Sequence, residues 1–199
     1  MSASTLTSLP LSALTLERRT RETEVVVRLG AGETRLDTGL PMLDHLLEAF
    51  AFYAGLDLTL EARDLMPLGD GHHLAEDVAM VLGRALGQSL GDRSGRTRYG
   101  QRLLPMDEAL ATCALDIGGR PYALLDLALP TPTLGGLASE NVAHLVRTLA
   151  MEARFTVHLA VRGENAHHMA EAAFKALGLA LREALAPAEG LRSTKGVLG

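Results

Sequence analysis

The sequence predicts an α+β chain built from two copies of one unit, each a set of strands followed by two helices. Three observations carry this. A His-His-x-x-Glu motif occurs twice, as His72-His73-Leu-Ala-Glu76 and His167-His168-Met-Ala-Glu171. The residues around both motifs match without gaps over long stretches. Apolar residues alternate with a strand period early in each half and then recur near every 3.6 residues, the helical period.

Taken in order, residues 1–15 are rich in Ser, Thr and Leu and form an N-terminal extension, either frayed or an edge strand. Residues 23–29 alternate as a half-buried strand, and Gly30-Ala-Gly32 supplies a turn. Pro41 suits a first helical turn, Leu43, Leu46, Leu47, Phe50 and Ala51 share one helical face, and Gly55 is a natural stop. Asp70 or Gly71 caps the helix that carries His72. In the second half, residues 123–129 read as a strand, residues 139–154 as a helix capped by Ser139, and the apolar run 155–161 as a strand. Asn165 caps the helix that carries His167.

The duplication is legible residue by residue. After the two motifs, Leu82 falls on Leu177, Gly83 on Gly178, Ala85 on Ala180, Leu86 on Leu181 and Leu90 on Leu185. Upstream, His45 aligns with His144, Ala51 with Ala150, Ala54 with Ala153, Leu60 with Leu159 and Arg63 with Arg162. His45 precedes its motif by 27 residues and His144 by 23, so the loop at residues 66–70 is the longer one.

Composition removes several function classes. With 199 residues, a net charge of −5, 4% aromatic residues and no Trp, the chain is a poor backbone-neutralising or base-stacking nucleic-acid binder. Cys113 is the single cysteine, which excludes a disulfide framework and a thiolate metal site and fits a reducing cytoplasm. No apolar run is long enough to span a bilayer, and the first fourteen residues lack the positive start of a secretory signal, so no membrane partner is expected.

Six of the seven histidines belong to the duplicated pattern: His45, His72, His73, His144, His167 and His168. His158 has no counterpart and reads as structural. Both His pairs fall in first helical turns, where the helix dipole disfavours the protonated ring and leaves a lone pair for a cation. Adjacent residues on a helix point about 100° apart, so His72 and His73 serve different ions more easily than one. With Glu76 and Glu171 there are eight ligands, enough for two ions of about four protein ligands each with positions left for substrate. The bland reading, that the histidines are surface or core residues, is disfavoured by their repetition.

These residues resemble the imidazoleglycerol-phosphate dehydratase family of histidine biosynthesis from about Leu16 to the C-terminus. The resemblance is carried by Arg18-Arg-Thr-Arg-Glu-Thr23, Thr38-Gly-Leu-Pro-Met-Leu-Asp-His45, the first His-His-x-x-Glu-Asp, Gly91-Asp-Arg-Ser-Gly95, Arg98-Tyr-Gly100 and Pro105-Met-Asp-Glu-Ala109. Asp116-Ile-Gly-Gly-Arg-Pro121, Glu140 through His144, Gly163-Glu-Asn-Ala-His-His168 with Glu171, Phe174-Lys-Ala-Leu177 and Ser193-Thr-Lys-Gly196 continue it. It implies duplicated βββαα half-domains, with a four-helix layer between two mixed β-sheets. On that basis residues 16–98 and 99–199 are the two half-repeats of one compact domain. It also implies a homo-oligomer of 24 subunits, with sites where neighbours meet, and two manganese ions per site. Ligand type alone leaves iron, cobalt, nickel and zinc open.

The implied reaction removes water from D-erythro-imidazole-glycerol phosphate to give imidazole-acetol phosphate. The carbon-bound proton is weakly acidic, and two cations holding the ring as imidazolate stabilise the developing charge. By the same resemblance Glu22 is the acid/base that also contacts substrate, Glu171 assists from the metal shell, and Arg98, Arg120, Lys175, Ser193 and Lys195 bind the substrate phosphate. Residues 106–108 are read as structural. The chain departs from the family pattern at Arg63, where Gly is usual, in its longer metal loop, and at Tyr53, Gly118 and Arg192, which stand for His, Ser and Pro. Two other classes use similar residues: a dimetal phosphate-releasing hydrolase and a metal-stapled oligomer interface. Product analysis and a Glu22→Gln variant separate them.

Overall fold

A computed structural model describes residues 11–66 and 70–198. The expectation for residues 1–10 therefore lies outside the described residues, as does the centre of the 66–70 loop. Two four-stranded sheets flank four helices. The first sheet contains β1 (Leu14–Arg19), β2 (Thr23–Leu29), β3 (Arg35–Asp37) and β4 (Leu58–Asp64), in the order β1-β2-β4-β3. The second contains β5 (Tyr99–Met106), β6 (Ala109–Asp116), β7 (Tyr122–Asp126) and a later strand, β10 (Thr156–Arg162), in the order β5-β6-β10-β7. In each, one pair is parallel, β3 with β4 and β7 with β10, so both sheets are mixed and share one topology. A short hairpin, β8 (Thr133–Leu134) and β9 (Leu137–Ala138), precedes the third helix.

The helices are α1 (Pro41–Ala54), α2 (His72–Ser89), α3 (Ser139–Ala153) and α4 (Ala166–Leu185). α2 lies on β1, β2 and β4, and α4 on β5, β6 and β10. Helices then pair across the two halves, α1 with α4 and α2 with α3, and this closes a four-helix layer between the sheets. Alternation explains the strands: β2 buries Thr23, Val25, Val27 and Leu29 against the helices and turns Glu24, Val26 and Arg28 the other way. The core joins both halves through Leu46, Phe50, Leu60 and Leu82 from the first and Leu145, Phe155, Leu159 and Phe174 from the second.

Differences from expectation have local causes. β10 is the strand expected at residues 155–161, while its first-half counterpart β4 was not anticipated; the apolar run after each first helix completes its sheet as an inner strand. The strand expected at residues 123–129 ends at Asp126, where its ladder with β10 stops, and Pro130, four residues on, has no N–H to donate. Ser139 is the first residue of α3 and not its cap; Ala138 holds the cap position, and the buried Ser139 hydroxyl has no partner. Gly71 caps α2 with a left-handed backbone, while Asp70 Oδ1 accepts from His72 N at 2.9 Å. Asn165 caps α4 as expected, its side chain accepting from the His167 and His168 amides. α1 ends at Gly55 in the left-handed region, the conformation glycine adopts without strain.

Two glycines matched by the duplication explain how the helices approach. A Cβ on Gly83 would lie 2.8 Å from the Leu149 carbonyl oxygen of α3, and one on Gly178 2.6 Å from the Phe50 carbonyl oxygen of α1. Each His-His-x-x-Glu helix is thus pressed against the first helix of the opposite half.

Candidate metal and phosphate site

That close approach assembles two ligand groups. His45 of α1 meets His167 and Glu171 of α4, and His144 of α3 meets His72 and Glu76 of α2, each set of donor atoms lying within 4.8 Å of one another. Both groups combine the lone His of one half with the His and Glu of the other, and the pairing His45/His144, His72/His167, Glu76/Glu171 follows the duplication. In the first group, Glu171 Oε2 is 3.2 Å from His45 Nε2 and 3.1 Å from His167 Nε2. In the second, Glu76 Oε1 is 3.5 Å from His144 Nε2. The rings stack, His45 on His167 and His72 on His144, with centroids 5.2 Å apart in each case.

The donor chemistry fits a divalent cation. His45 Nε2 and His144 Nε2 are buried and lack a hydrogen-bond partner, despite the carboxylate close to each. Orphaned buried nitrogens facing a carboxylate are what an imidazole–carboxylate metal shell leaves. His72 Nδ1 is 3.0 Å from Asn141 Oδ1, and the Asn141 amide donates to the Asp70 carbonyl at 3.0 Å. That bond assigns the proton of a neutral His72 to Nδ1 and leaves Nε2 as the donor nitrogen. Burial alone would raise the Glu171 carboxyl, but the hydrogen bond from the Lys175 ammonium, aided by the nearby His45 ring, outweighs it and holds the group below its ordinary value.

His73 and His168 join neither group. His73 Nδ1 faces Glu22 Oε2 at 3.7 Å, and His168 Nδ1 is 2.9 Å from Glu108 Oε2. The hydrogen bond from His168 is the main reason that Glu108 sits at about 2, far below the usual carboxylate range, and the same bond raises His168. Glu22 itself is half exposed at the turn between β1 and β2. Asp77, buried in α2, holds that turn: it accepts from Arg18 Nε at 2.8 Å and from the Thr23 hydroxyl. Sequence reasoning assigned Asp77 no role and read Glu108 as structural. Asn141, inside the quoted segment 140–144, was likewise given no role, although Asp77 follows the first Glu of the motif directly and Asn141 lies three residues before His144.

A second site lies at the end of the helical layer. Arg98, Arg120, Ser193 and Lys195 line an open cleft of about 1090 Å³ together with Tyr99, Gly118 and Thr194. Arg98 is buried and held: Nε and one terminal nitrogen bind both Asp116 oxygens at 2.8 and 2.9 Å, and the other donates to the Arg192 carbonyl at 2.6 Å. Arg120 remains exposed, 3.7 Å from Asp116. A Cβ at Gly118 would lie 2.7 Å from Asp116 Oδ1 and 2.9 Å from the Arg98 guanidinium, so a larger residue there would shift the ends of those two side chains. Lys175 does not line this cleft; its ammonium binds Glu171 at 2.8 Å beside the first metal group. His158 points outward from β10 near Tyr122, away from both groups. Cys113 is buried, which pushes its thiol up to about 12, so it is neither ligand nor nucleophile.

Residues 38–181 match the family model for imidazoleglycerol-phosphate dehydratase. The chain belongs to that family. The imidazoleglycerol-phosphate dehydratase of Pyrobaculum calidifontis is 51% identical over 186 residues, covering 93% of this chain and all of the relative. That of Methanothermobacter thermautotrophicus is 48% identical and covers 91% of this chain and 95% of the relative. Among solved structures, IGPD from Pyrococcus furiosus superposes with a TM-score of 0.81 at 42% identity, covering 92% of this chain and all of that one. The Staphylococcus aureus enzyme gives 0.77 at 33% identity, with 88% of this chain and all of that one covered. The chain is therefore an enzyme of the imidazoleglycerol-phosphate dehydratase family, with its mixed α+β fold. Among the described residues, no helix is long and apolar enough to cross a membrane.

Proposed function

We propose that the chain dehydrates D-erythro-imidazole-glycerol phosphate to imidazole-acetol phosphate in the making of histidine, in the cytoplasm, with two manganese ions per site. The observation that carries this reading is the pair of duplicated ligand groups, each drawing on both halves of the chain, in a member of this family. His45, His167 and Glu171 would hold one ion, and His144, His72 and Glu76 the other. Two cations held there would supply positive charge against the negative charge that develops on the substrate ring.

The chain's own residues do the rest. Water is lost as hydroxyl from the ring-bearing carbon and a proton from the next carbon, and the enol so formed becomes the ketone by taking a proton at the ring-bearing carbon. Glu22, half exposed and lightly held, is the group that moves a proton between substrate carbon and departing hydroxyl. Arg120, Lys195 and the Ser193 hydroxyl take the phosphate, with Arg98 held in place by Asp116. Lys175, whose ammonium lies 2.8 Å from Glu171, contributes to phosphate binding from the side of the first metal group in this reading.

His73 and His168, turned from their own chain's groups, serve the ions of neighbouring subunits in a homo-oligomer of 24. The outer face of the second sheet supports assembly. It exposes Tyr99, Leu103, Tyr122 and Leu124, whereas the equivalent face of the first carries Glu17, Arg19, Arg35, Asp37, Glu61 and Arg63. The two half-repeats, residues 16–98 and 99–199, form one domain in this reading. No nucleic acid or membrane takes part. The test is turnover by metal-stripped protein with and without manganese, reading acetol phosphate and free phosphate together. Manganese-dependent dehydration without phosphate release is expected; phosphate release would indicate a hydrolase, and bound metal without turnover a structural staple.

A further inference from the structure

The strand register extends the duplication to a pair of glutamates. Arg63 lies opposite Glu24 in the β4–β2 ladder, and Arg162 lies opposite Leu110 in the β10–β6 ladder. Arg63 and Arg162 are equivalent in the repeated sequence, so Glu24 corresponds to Leu110 and, two residues earlier, Glu22 corresponds to Glu108. Each stands in the turn immediately before its strand, and each faces Nδ1 of the second His of its own half. Their surroundings differ. Glu22 stands 3.7 Å from His73 with its side chain half exposed. Glu108 is pinned on both oxygens: Oε1 accepts from the Asn165 amide at 2.8 Å and the Glu164 amide at 3.4 Å, and Oε2 is 2.9 Å from His168 Nδ1. Asp107, mostly exposed, stands 3.7 Å from the other ring nitrogen.

We propose that the duplicated glutamates have diverged in role, Glu108 being a positioning residue that fixes the ring and tautomer of His168 for metal binding while Glu22 is left mobile for proton transfer. The inference deepens the metal reading above and rests on it. An imidazole binds a cation through one nitrogen, and a carboxylate on the other fixes the ring, places the proton and raises the basicity of the donor. With Nδ1–H given to Glu108, Nε2 of His168 carries the lone pair. Glu108 also ties the β5–β6 turn to the start of α4, so the same side chain that orients His168 sets the helix end that carries it.

The test is manganese titration of the metal-stripped full chain, free ion read by electron paramagnetic resonance, for the parent, Glu108→Gln, Glu108→Asp and Glu22→Gln. Glu108→Gln should weaken manganese about ten- to a hundredfold, and Glu108→Asp, which keeps the carboxylate, should lose less. Glu22→Gln should keep parental affinity while losing turnover. A purely structural turn would not rank variants by charge, and thermal unfolding of the metal-free forms shows whether any of them is globally weakened. Parental affinity in Glu108→Gln, or equal loss in Glu22→Gln, would overturn the division of roles. Absence of manganese binding by the parent would overturn the metal reading beneath it.

Discussion

Single side chains already divide the labour in this protein. Asp116 holds Arg98 through two hydrogen bonds, and although burial works against ionisation, those bonds keep its carboxyl below the ordinary value. A lowered carboxylate stabilises the fold above its unfolded value and loses that contribution as pH falls through the folded one. Replacing Asp116 by Asn should therefore cost about 1–3 kcal/mol near neutral pH, and the gap from the parent in urea unfolding should close as pH falls below the ordinary aspartate range. A gap independent of pH would show that the ion pair is not its source. At Glu22 the expected effect is on rate: Glu22→Gln should lower kcat by about a hundredfold or more with the unfolding midpoint unchanged. Equal kcat would assign the proton transfer elsewhere.

Among the elements, the contacts that matter are between helices of opposite halves. Gly83 and Gly178 let α2 and α4 approach the backbone of their partners, and that approach brings His144 to His72 and His45 to His167. Gly178→Ala should destabilise by about 1–3 kcal/mol through overpacking and weaken manganese at the His45 group more than at the His144 group, checked by calorimetric titration. Gly83→Ala should show the reverse preference. The cap of α4 is a separate element: Asn165→Ala removes the acceptor for the His167 and His168 amides and should cost about 1 kcal/mol in thermal unfolding. Much of this was readable beforehand, because caps and apolar periods are local signals. β2 and the end of α1 at Gly55 follow from alternation and from a glycine stop. The strand at residues 155–161 was legible from its apolar run, but its counterpart β4 in the first half was not, and a short apolar run does not reveal which sheet it completes.

At the scale of the whole molecule, ligand binding and assembly should be linked. Any ion that binds only the native state raises the unfolding temperature with its concentration. Stripping manganese should lower the unfolding temperature, and restoring it should recover the loss. His73→Asn and His168→Asn should each reduce the assembly mass under limiting manganese, read by light scattering, while the metal-free chain unfolds as the parent does. An unchanged mass would place those rings outside any intersubunit bridge.

The duplication, the helical stretches of the four helices and the identity of the candidate ligands are legible along the chain, because repetition, periodicity and residue chemistry are local properties. Their grouping comes from packing. Which His meets which Glu depends on α1 packing against α4 and α2 against α3, contacts between residues far apart in sequence. The same holds for Asn141 on His72, Glu108 on His168 and Asp77 on the Glu22 turn. Each joins segments brought together by burial of a shared apolar core, and no spacing rule along one strand or helix encodes them.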